Sequence, residues 1–211
     1  MTRERLPRSF YARPATEVAP ELLGHILVRA FPEGTRAAAR IVEVEAYGPD
    51  DPASHAFRGE TPRNATMFGP PGHLYVYFTY GMHFCMNAVC GRAGEGTAVL
   101  LRAGEPLEGI DEMRARRDCE REVDLCSGPG RLTQALGVAR ADDGADLVDG
   151  GSIWVERGAN AHAIGIGIRV GVRETTRLWR YWLEGNPFVS RGRPGPPTRK
   201  TRASRARSGT P

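Results

Sequence analysis

Acidic and aromatic side chains alternate in the segment "IVEVEAY", which ends at Tyr47. In an extended strand, this period of two places Glu43, Glu45 and Tyr47 on one face and the apolar residues between them on the other. A half-buried strand whose polar face meets water gives the same pattern. However, a carboxylate beside aromatic rings and a nearby histidine, His55, has a pKa and hydrogen bonds that the protein can tune. The segment is therefore a candidate for general acid or base chemistry.

A second segment, "HLYVYFTYGMHFCMN" from His73 to Asn87, carries three tyrosines in near alternation. The alternation predicts strands, and Tyr80-Gly81 between two such runs predicts the tip of a hairpin. A tyrosine at a tip either packs back on its own sheet or enters a partner molecule, because its ring carries a large apolar area. The hairpin is therefore a candidate binding element.

The length of the hairpin loop decides which side chains share a face. A three-residue loop from Gly81 to His83, centred on Met82, places Tyr77 opposite Asn87 on one face. A two-residue loop, Gly81-Met82, turns Asn87 to the other face instead. A shared role of Asn87 and the tyrosine on one face would therefore favour the three-residue loop.

The elements that must position these residues follow one another without internal repeats. Strands are predicted in "HILVRAF", "ARIVEVEAY", "TAVLLRA", "SIWVERG" and "IGIGIRVGV", and helices in "ATEVAPELLG", "TPRNATMF", "GIDEMRARRDCER" and "SGPGRLTQALG". The proposed caps and stops are Thr61 with Pro62, Ser127 and Gly137. "LWRYWLEGNPFVS" fits either a strand or a helix. Most strands are neighbours in sequence, so we expect an α+β fold: a single domain with a curved, mainly antiparallel β-sheet surrounded by helices, and a protruding β-hairpin.

The net charge of +4 is unevenly distributed along the 211 residues. Residues 191–211 carry seven Lys/Arg and no Asp/Glu, so that 22 basic and 25 acidic residues remain in the body, a net charge of −3. The Pro, Gly and Ser content of this segment predicts a disordered basic tail, which either binds nucleic acid without reading sequence or only keeps the protein in solution. The body, residues 1–190, is expected to form one domain.

Two classes of protein are disfavoured by composition. No stretch approaches the roughly 18 to 20 apolar residues of a membrane span, and the N-terminal segment lacks an apolar signal region, so we expect a cytoplasmic protein with no membrane partner. The four cysteines show no C-x-x-C spacing and no cluster with histidine, and we interpret them as buried free thiols, with zinc as the weaker alternative. We expect no metal and no cofactor.

Three stretches taken together resemble one protein family. They are "VEVEAYGPDDPASHAFRGETPRNATMFGPPGHLYVYFTYGMHFCMN", "TAVLLRAGEPLEG" and "DLCSGPGRLTQALGV". They resemble the alkyladenine DNA glycosylases, also called 3-methyladenine DNA glycosylases of the human type, over about residues 13 to 190. The resemblance implies a DNA repair enzyme, monomeric and nucleoid-associated if bacterial, that flips alkylated or deaminated purines out of duplex DNA and hydrolyses their N-glycosidic bond.

The resemblance also implies a role for each matching residue. Glu45 matches the general base that activates water for attack at the sugar C1′, and Arg102 a residue close to that water and the adjoining phosphate. Tyr80 matches the wedge that fills the gap left by the flipped base. The remaining matches contact the flipped purine (Tyr47, His55, Tyr77), exclude the 2-amino group of guanine (Asn87), or line the minor groove and backbone (Met82, Arg63).

Several alternatives stay open. Glu43 is either a proton donor to the purine or a structural residue. Lys200, the single lysine, lies in the tail, so a lyase step through a Schiff base is disfavoured. A non-catalytic nucleic-acid binding module would explain the hairpin and the tail, and a hydrolase of small N-glycosides would explain the carboxylate and the aromatic residues.

The sequence departs from the family pattern at three places: His83, a shorter loop before His55 and a longer stretch before Arg102. These departures leave lesion preference undefined.

Overall fold

A computed structural model describes residues 4–79, 81–159, 163–172 and 176–191 of the chain. In this part, eight strands form one sheet: β1 Ile26–Ala30, β2 Arg36–Tyr47, β3 Leu74–Thr79, β4 His83–Cys90, β5 Thr97–Glu108, β6 Ile153–Glu156, β7 Ile164–Gly167 and β8 Arg180–Leu183. The strand order is β3-β4-β5-β2-β1-β6, with β8 paired to β2 and β7 paired to β8. Every one of these pairs is antiparallel.

Five short helices surround the sheet: α1 Arg8–Tyr11, α2 Ala15–Leu22, α3 Ile110–Arg117, α4 Glu122–Leu125 and α5 Pro129–Ala135. Short 3₁₀ turns cover Ala65–Phe68 and Arg140–Asp142. These elements confirm the predicted α+β class, and the ambiguous segment near residue 180 is a strand. None of the described helices is both long and apolar enough to cross a membrane.

Strand β2 lies in the middle of the sheet. One of its edges pairs with β5, while the other pairs first with β1 over residues 36–40 and then with β8 over residues 43–45. The apolar side chains of β2, among them Ile41, Val42 and Val44, pack in a core that includes residues of α2, β5 and α5. Both faces of β2 are therefore covered, and Glu43 and Glu45 are 0% exposed, which excludes the alternative of a half-buried strand whose polar face meets water.

The β3-β4 hairpin has a register that differs from the expected one. Thr79 pairs with His83, so the loop has three residues, as predicted, but they are 80–82 rather than 81–83. Tyr75, not Tyr77, therefore lies opposite Asn87. The loop is centred one residue earlier because residue 81, a glycine, adopts a positive φ of 66°, which is costly for other residues. Since the shift in pairing is two residues, the tyrosine and the asparagine still share a face.

Two predicted helix starts also need correction. The helix expected from Thr61 and Pro62 is a 3₁₀ turn that begins at Ala65, because Asn64 Oδ1 accepts bonds from the backbone and hydroxyl of Thr61 and holds a local turn. Helix α5 begins one residue later than expected, with Gly128 as its N-cap and no side-chain cap bond. The predicted stop at residue 137 is confirmed by its positive φ of 62°.

Candidate active site

Glu45 lies at the centre of the site and is completely buried on β2. Its Oε2 accepts a hydrogen bond of 2.9 Å from the hydroxyl of Tyr47, and its Oε1 accepts one of 2.7 Å from the backbone N–H of Val170. Arg102 Nη1 lies 3.4 Å from Oε2. Donors thus bind both carboxylate oxygens and fix the orientation of the group. They also offset the free-energy cost of removing a carboxylate from water.

Glu43, two residues earlier, has a separate set of partners. Its Oε1 accepts bonds from Arg102 Nε at 3.0 Å and from Arg180 Nε at 2.7 Å. Its Oε2 accepts a bond of 2.8 Å from the backbone N–H of Ser190. Because N–H donors occupy both oxygens, Glu43 acts as an acceptor here, which supports the structural interpretation over that of a proton donor.

Arg102 reaches both carboxylates because of an irregularity in the sheet. Glu43 pairs with Ala103 and Val44 with Leu101, so Arg102 is an extra residue on β5 between two paired positions. Such a bulge re-aims a side chain relative to its strand. Burial alone would lower the pKa of Arg102, but the negative charges of Glu45 and Glu43 raise it above its usual value, so the group stays a cation.

A cavity of about 70 Å³ opens beside this cluster. Its lining includes the three residues that the resemblance assigned to purine contact, Tyr47, His55 and Tyr77, and the one assigned to exclude guanine, Asn87. The structure adds Ala53, Met67 and Tyr75. The wall is mainly aromatic. Such a cavity suits a flat, polarisable ligand that stacks on rings.

The aromatic rings of the cavity are ordered by contacts with one another. His55 and Tyr77 meet edge to face with centroids 4.5 Å apart, and Tyr75 stacks on Tyr77 at 5.5 Å. His55 Nδ1 lies 2.9 Å from the hydroxyl of Tyr75. Sequence reasoning did not assign Tyr75 a role, although its alternation with Tyr77 placed both on one face.

The titratable groups of the cavity are held in their neutral forms. Burial lowers the pKa of His55, and the charge of Arg63 lowers it further. Burial, with the Glu45 charge beside it, raises the pKa of Tyr47 well above its usual value, and burial raises that of Tyr75 to about 12. At neutral pH the cavity therefore presents a neutral imidazole and neutral phenols.

Asn87 is buried in the cavity wall, with 5% of its surface exposed. Its Nδ2 donates a bond of 3.1 Å to the backbone carbonyl of Tyr75 on the neighbouring strand. This bond fixes the amide against β3, so the side chain is a rigid part of the wall.

The remaining assigned residues lie outside the cavity. Met82, at the hairpin loop, is 70% exposed, and Phe78 nearby is 42% exposed. Arg63 Nη2 is 3.4 Å from the backbone carbonyl of Phe78, so this arginine lies against the hairpin. Tyr80 and the tail from residue 192 onward lie outside the described residues.

Sequence reasoning missed a further set of residues that approach the site from the end of the chain. Val170, Arg180 and Ser190 contact Glu45 or Glu43, and Arg169 is completely buried against Tyr47. No local pattern marks them, because their partners are more than 100 positions away in the sequence. Across the described residues, no three His, Cys, Asp or Glu side chains come together to form a possible metal site.

A buried, oriented carboxylate next to an aromatic cavity can serve general acid or base chemistry on a ligand that stacks there. Comparison with known proteins gives the family: the pattern of methylpurine-DNA glycosylases matches residues 9–187. The chain belongs to the methylpurine-DNA glycosylase family. It is thus a DNA glycosylase, a hydrolase of base excision repair, as the sequence resemblance implied.

Curated relatives support this assignment across nearly the whole chain. A protein of Burkholderia lata is 55% identical over 201 residues, which are 92% of this chain and 93% of the relative. A protein of Streptomyces avermitilis is 48% identical over 206 residues, 94% of this chain and 96% of the relative. One of Chlorobaculum tepidum is 47% identical over 201 residues, 93% and 96% of the two chains. All three bear the name "Putative 3-methyladenine DNA glycosylase".

Proposed function

We propose that the enzyme excises alkylated or deaminated purines from duplex DNA, in the class of 3-methyladenine, 7-methylguanine, hypoxanthine and ethenoadenine, and leaves an abasic site. The observation that carries the proposal is the position of Glu45, which is hydrogen-bonded to Tyr47, a residue that also lines the aromatic cavity. The carboxylate that activates water and the ring that stacks on the base are thereby fixed relative to each other. We expect a monomer that needs no cofactor.

In this proposal the damaged nucleotide leaves the duplex, because the glycosidic bond cannot be reached inside the base stack. The purine stacks among Tyr47, His55 and Tyr77, which line the cavity. At about 70 Å³ the cavity is smaller than the roughly 300–1,000 Å³ of most small-molecule sites, so its rings must move apart as the base enters.

Glu45 then acts on the sugar. Cleavage of an N-glycosidic bond passes through a state with oxocarbenium character, which a nearby carboxylate stabilises by its charge. The same carboxylate accepts the proton of the attacking water at C1′. Arg102, held by Glu43, supplies a fixed cation next to Glu45, where it can bind the adjoining phosphate.

The proposed substrates differ in how readily the purine departs from the sugar. The nucleosides of 3-methyladenine and 7-methylguanine carry a positive charge on the base, which therefore departs readily. Hypoxanthine is neutral and leaves better when the purine is protonated. His55 is held neutral and N–H donors occupy both oxygens of Glu43, so neither side chain is arranged to transfer a proton to the purine. We expect cationic purines to be excised faster than neutral ones.

The DNA contacts lie around the hairpin in this proposal. Tyr80 fills the gap left by the flipped base, while exposed Met82 and the nearby Arg63 approach the minor groove and the backbone. Asn87, which is fixed in the cavity wall, excludes guanine by blocking its 2-amino group.

The test is excision from duplex oligonucleotides that each carry one lesion: 7-methylguanine, hypoxanthine or ethenoadenine. Alkali then breaks the strand at any abasic site. We expect lesion-dependent breaks with the wild-type protein, and none with undamaged duplex. Two results contradict the proposal: binding of the duplexes without excision would indicate a binding module, and release of base from free nucleosides but not from duplex would indicate a hydrolase of small N-glycosides.

A further inference from the structure

Arg169 is a completely buried arginine that touches neither the cavity nor Glu45 directly. A guanidinium in such a place is costly unless good partners surround it. Its Nη1 and Nη2 form a bidentate ion pair with Asp51, in which Nη2 lies 2.9 Å from Oδ1 and Nη1 is close to Oδ2. Nη1 also donates a bond of 3.0 Å to the backbone carbonyl of Ala46. The side chain thus fastens two parts of the chain: the end of β2 and the loop that follows it.

The face of the Arg169 guanidinium packs on two aromatic rings. Its central carbon is 4.5 Å from the ring centroid of Tyr47 and 5.4 Å from that of Trp179. Stacking of a buried guanidinium on an aromatic ring is a favourable cation–π contact. Tyr47 is the residue whose hydroxyl donates to Oε2 of Glu45. The guanidinium therefore fixes the ring that holds one oxygen of the carboxylate.

The residue that follows Arg169 holds the other oxygen. The backbone N–H of Val170 donates to Oε1 of Glu45 at 2.7 Å. Because the two residues are adjacent, the ion pair with Asp51 also sets the place of this N–H. One side chain is thus connected to the donors on both oxygens of Glu45.

The charge of Arg169 is stable in this place. Burial alone would lower its pKa, but the hydrogen bond to Asp51 and the charges of its surroundings raise the pKa above its usual value. A lysine could keep the charge, but it has no planar fork to bind Asp51 through two nitrogens or to stack on Tyr47.

We propose that Arg169, paired with Asp51, is a positioning residue for Glu45, which acts through Tyr47 and the Val170 N–H to hold the carboxylate in the orientation that activates water. This inference rests on the proposed function of Glu45. It predicts that loss of Arg169 slows the chemical step and leaves duplex affinity almost unchanged, since the residue does not line the cavity and phosphate contacts supply most of the affinity.

The experiment is single-turnover excision of 7-methylguanine at saturating enzyme, together with the affinity for the same duplex, for Arg169→Met and Arg169→Lys. A displacement of the order of 1 Å in a catalytic group costs roughly a hundredfold in rate. We therefore expect both variants to lose between about tenfold and a hundredfold in rate, while affinity stays within about twofold. A rate within about twofold of wild type for either variant would overturn the proposal, as would a loss confined to affinity.

Two further variants separate positioning from stability. Arg29→Met removes a different part-buried ion pair, that of Arg29 with Asp142 at 2.5 Å, which lies outside the site. We expect it to lower the unfolding midpoint without changing the excision rate, and an equal loss of rate would overturn the proposal. If Arg169→Met does not fold, the double variant Asp51→Asn/Arg169→Met takes its place, because it leaves no unpaired buried charge.

The failure of this inference is distinct from that of the proposed function. If Glu45→Gln excises at the wild-type rate, the proposed function of Glu45 is wrong. If Glu45→Gln is inactive and Arg169→Met is fully active, only the positioning role is wrong.

Discussion

Glu43 and Glu45 lie two residues apart on β2 and share one cation: Arg102 binds Glu43 through Nε at 3.0 Å, and its Nη1 lies 3.4 Å from Glu45. The two carboxylates are equally buried, but their partners differ in kind. Glu43 is bound by two arginines and a backbone N–H, whereas Glu45, besides Arg102 and a backbone N–H, is bound by a tyrosine that borders the cavity. The structure therefore supports a structural role for one and a chemical role for the other.

This difference predicts opposite effects for two matched substitutions. Glu45→Gln should bind damaged duplex and lose a factor of about a hundred to ten thousand in single-turnover excision, the usual contribution of a general base. Glu43→Gln should mainly lower the free energy of unfolding, because it weakens a buried pair with two arginines. Excision rates and urea midpoints of both variants check this. If Glu45→Gln keeps more than about a tenth of the wild-type rate, Glu45 is not the base.

Asn87 should set the discrimination against guanine. Its amide is fixed to the Tyr75 carbonyl, so it cannot swing away from a 2-amino group. Asn87→Ala and Asn87→Ser should therefore release undamaged guanine from duplex DNA at a measurable rate, with 7-methylguanine as the reference substrate. Chromatography of the released bases measures this. No gain in guanine release would show that the steric role is wrong.

His55 makes stability depend on pH in a defined direction. Its pKa is lowered in the folded protein, mainly by burial, so the unfolded chain binds a proton more readily. Its contribution to stability is complete above the unfolded pKa of about 6.5 and is lost as pH falls from there through the folded pKa. Relative to a His55→Asn variant, wild type should lose stability as pH falls below about 6.5, and the loss should be small because part of the His55 surface stays exposed to solvent. Urea unfolding of both proteins between pH 7.5 and 5 gives the difference, and a difference that does not change with pH contradicts the neutral imidazole.

The product should be an intact abasic site in an unbroken strand. A Schiff-base mechanism needs an amine, and the single lysine of the chain is Lys200. Borohydride added during excision should therefore trap no protein on the DNA, while a lyase run in parallel gives the positive control. A covalent adduct that persists in Lys200→Arg would point to another amine and overturn the hydrolytic assignment.

Tyr80, assigned by resemblance, should affect flipping more than affinity. Flipping costs a few kcal/mol in lost stacking and pairing, and an aromatic wedge offsets part of this cost. Tyr80→Ser should slow excision most for lesions in stable pairs and least for mismatched ones. The measurement is excision at saturating enzyme for hypoxanthine opposite thymine and opposite cytosine.

Removal of residues 192–211 is the matched control for the wedge. The variant loses six of the seven basic residues of the tail, which should make the salt dependence of duplex affinity shallower and leave the saturated excision rate unchanged. If Tyr80→Ser changes only the salt dependence, or the truncation changes only the saturated rate, the two elements have been assigned the wrong way round.

Much of the cavity could be predicted from the sequence because a strand alternates its side chains. Alternation with a three-residue loop placed Tyr77 and Asn87 on a common face, and the resemblance assigned these two together with Tyr47 and His55. The structure brings all four together. The predicted pairing of the hairpin strands was wrong by two residues, because the sequence pattern does not show whether Gly81 begins the loop or lies at its centre.

The partners that orient Glu45 could not be predicted in this way. Val170 is 125 positions from Glu45, and Arg169 is 118 positions from Asp51. Their contacts depend on how the end of the chain packs against β2, which local periodicity does not encode. The same packing buries the polar face of β2, which alternation alone would leave open to water: β8 pairs along its edge, and the Arg169 segment covers it.

Ser190 connects the end of the described part of the chain to a buried carboxylate. Its backbone N–H is a ligand of Glu43, and its carbonyl lies 3.4 Å from Arg180 Nη2. A truncation placed a few residues upstream would therefore remove a donor from the carboxylate that anchors Arg102. Expression variants should keep this peptide intact, and a domain fused directly after residue 190 would begin beside Glu43 rather than at a remote surface.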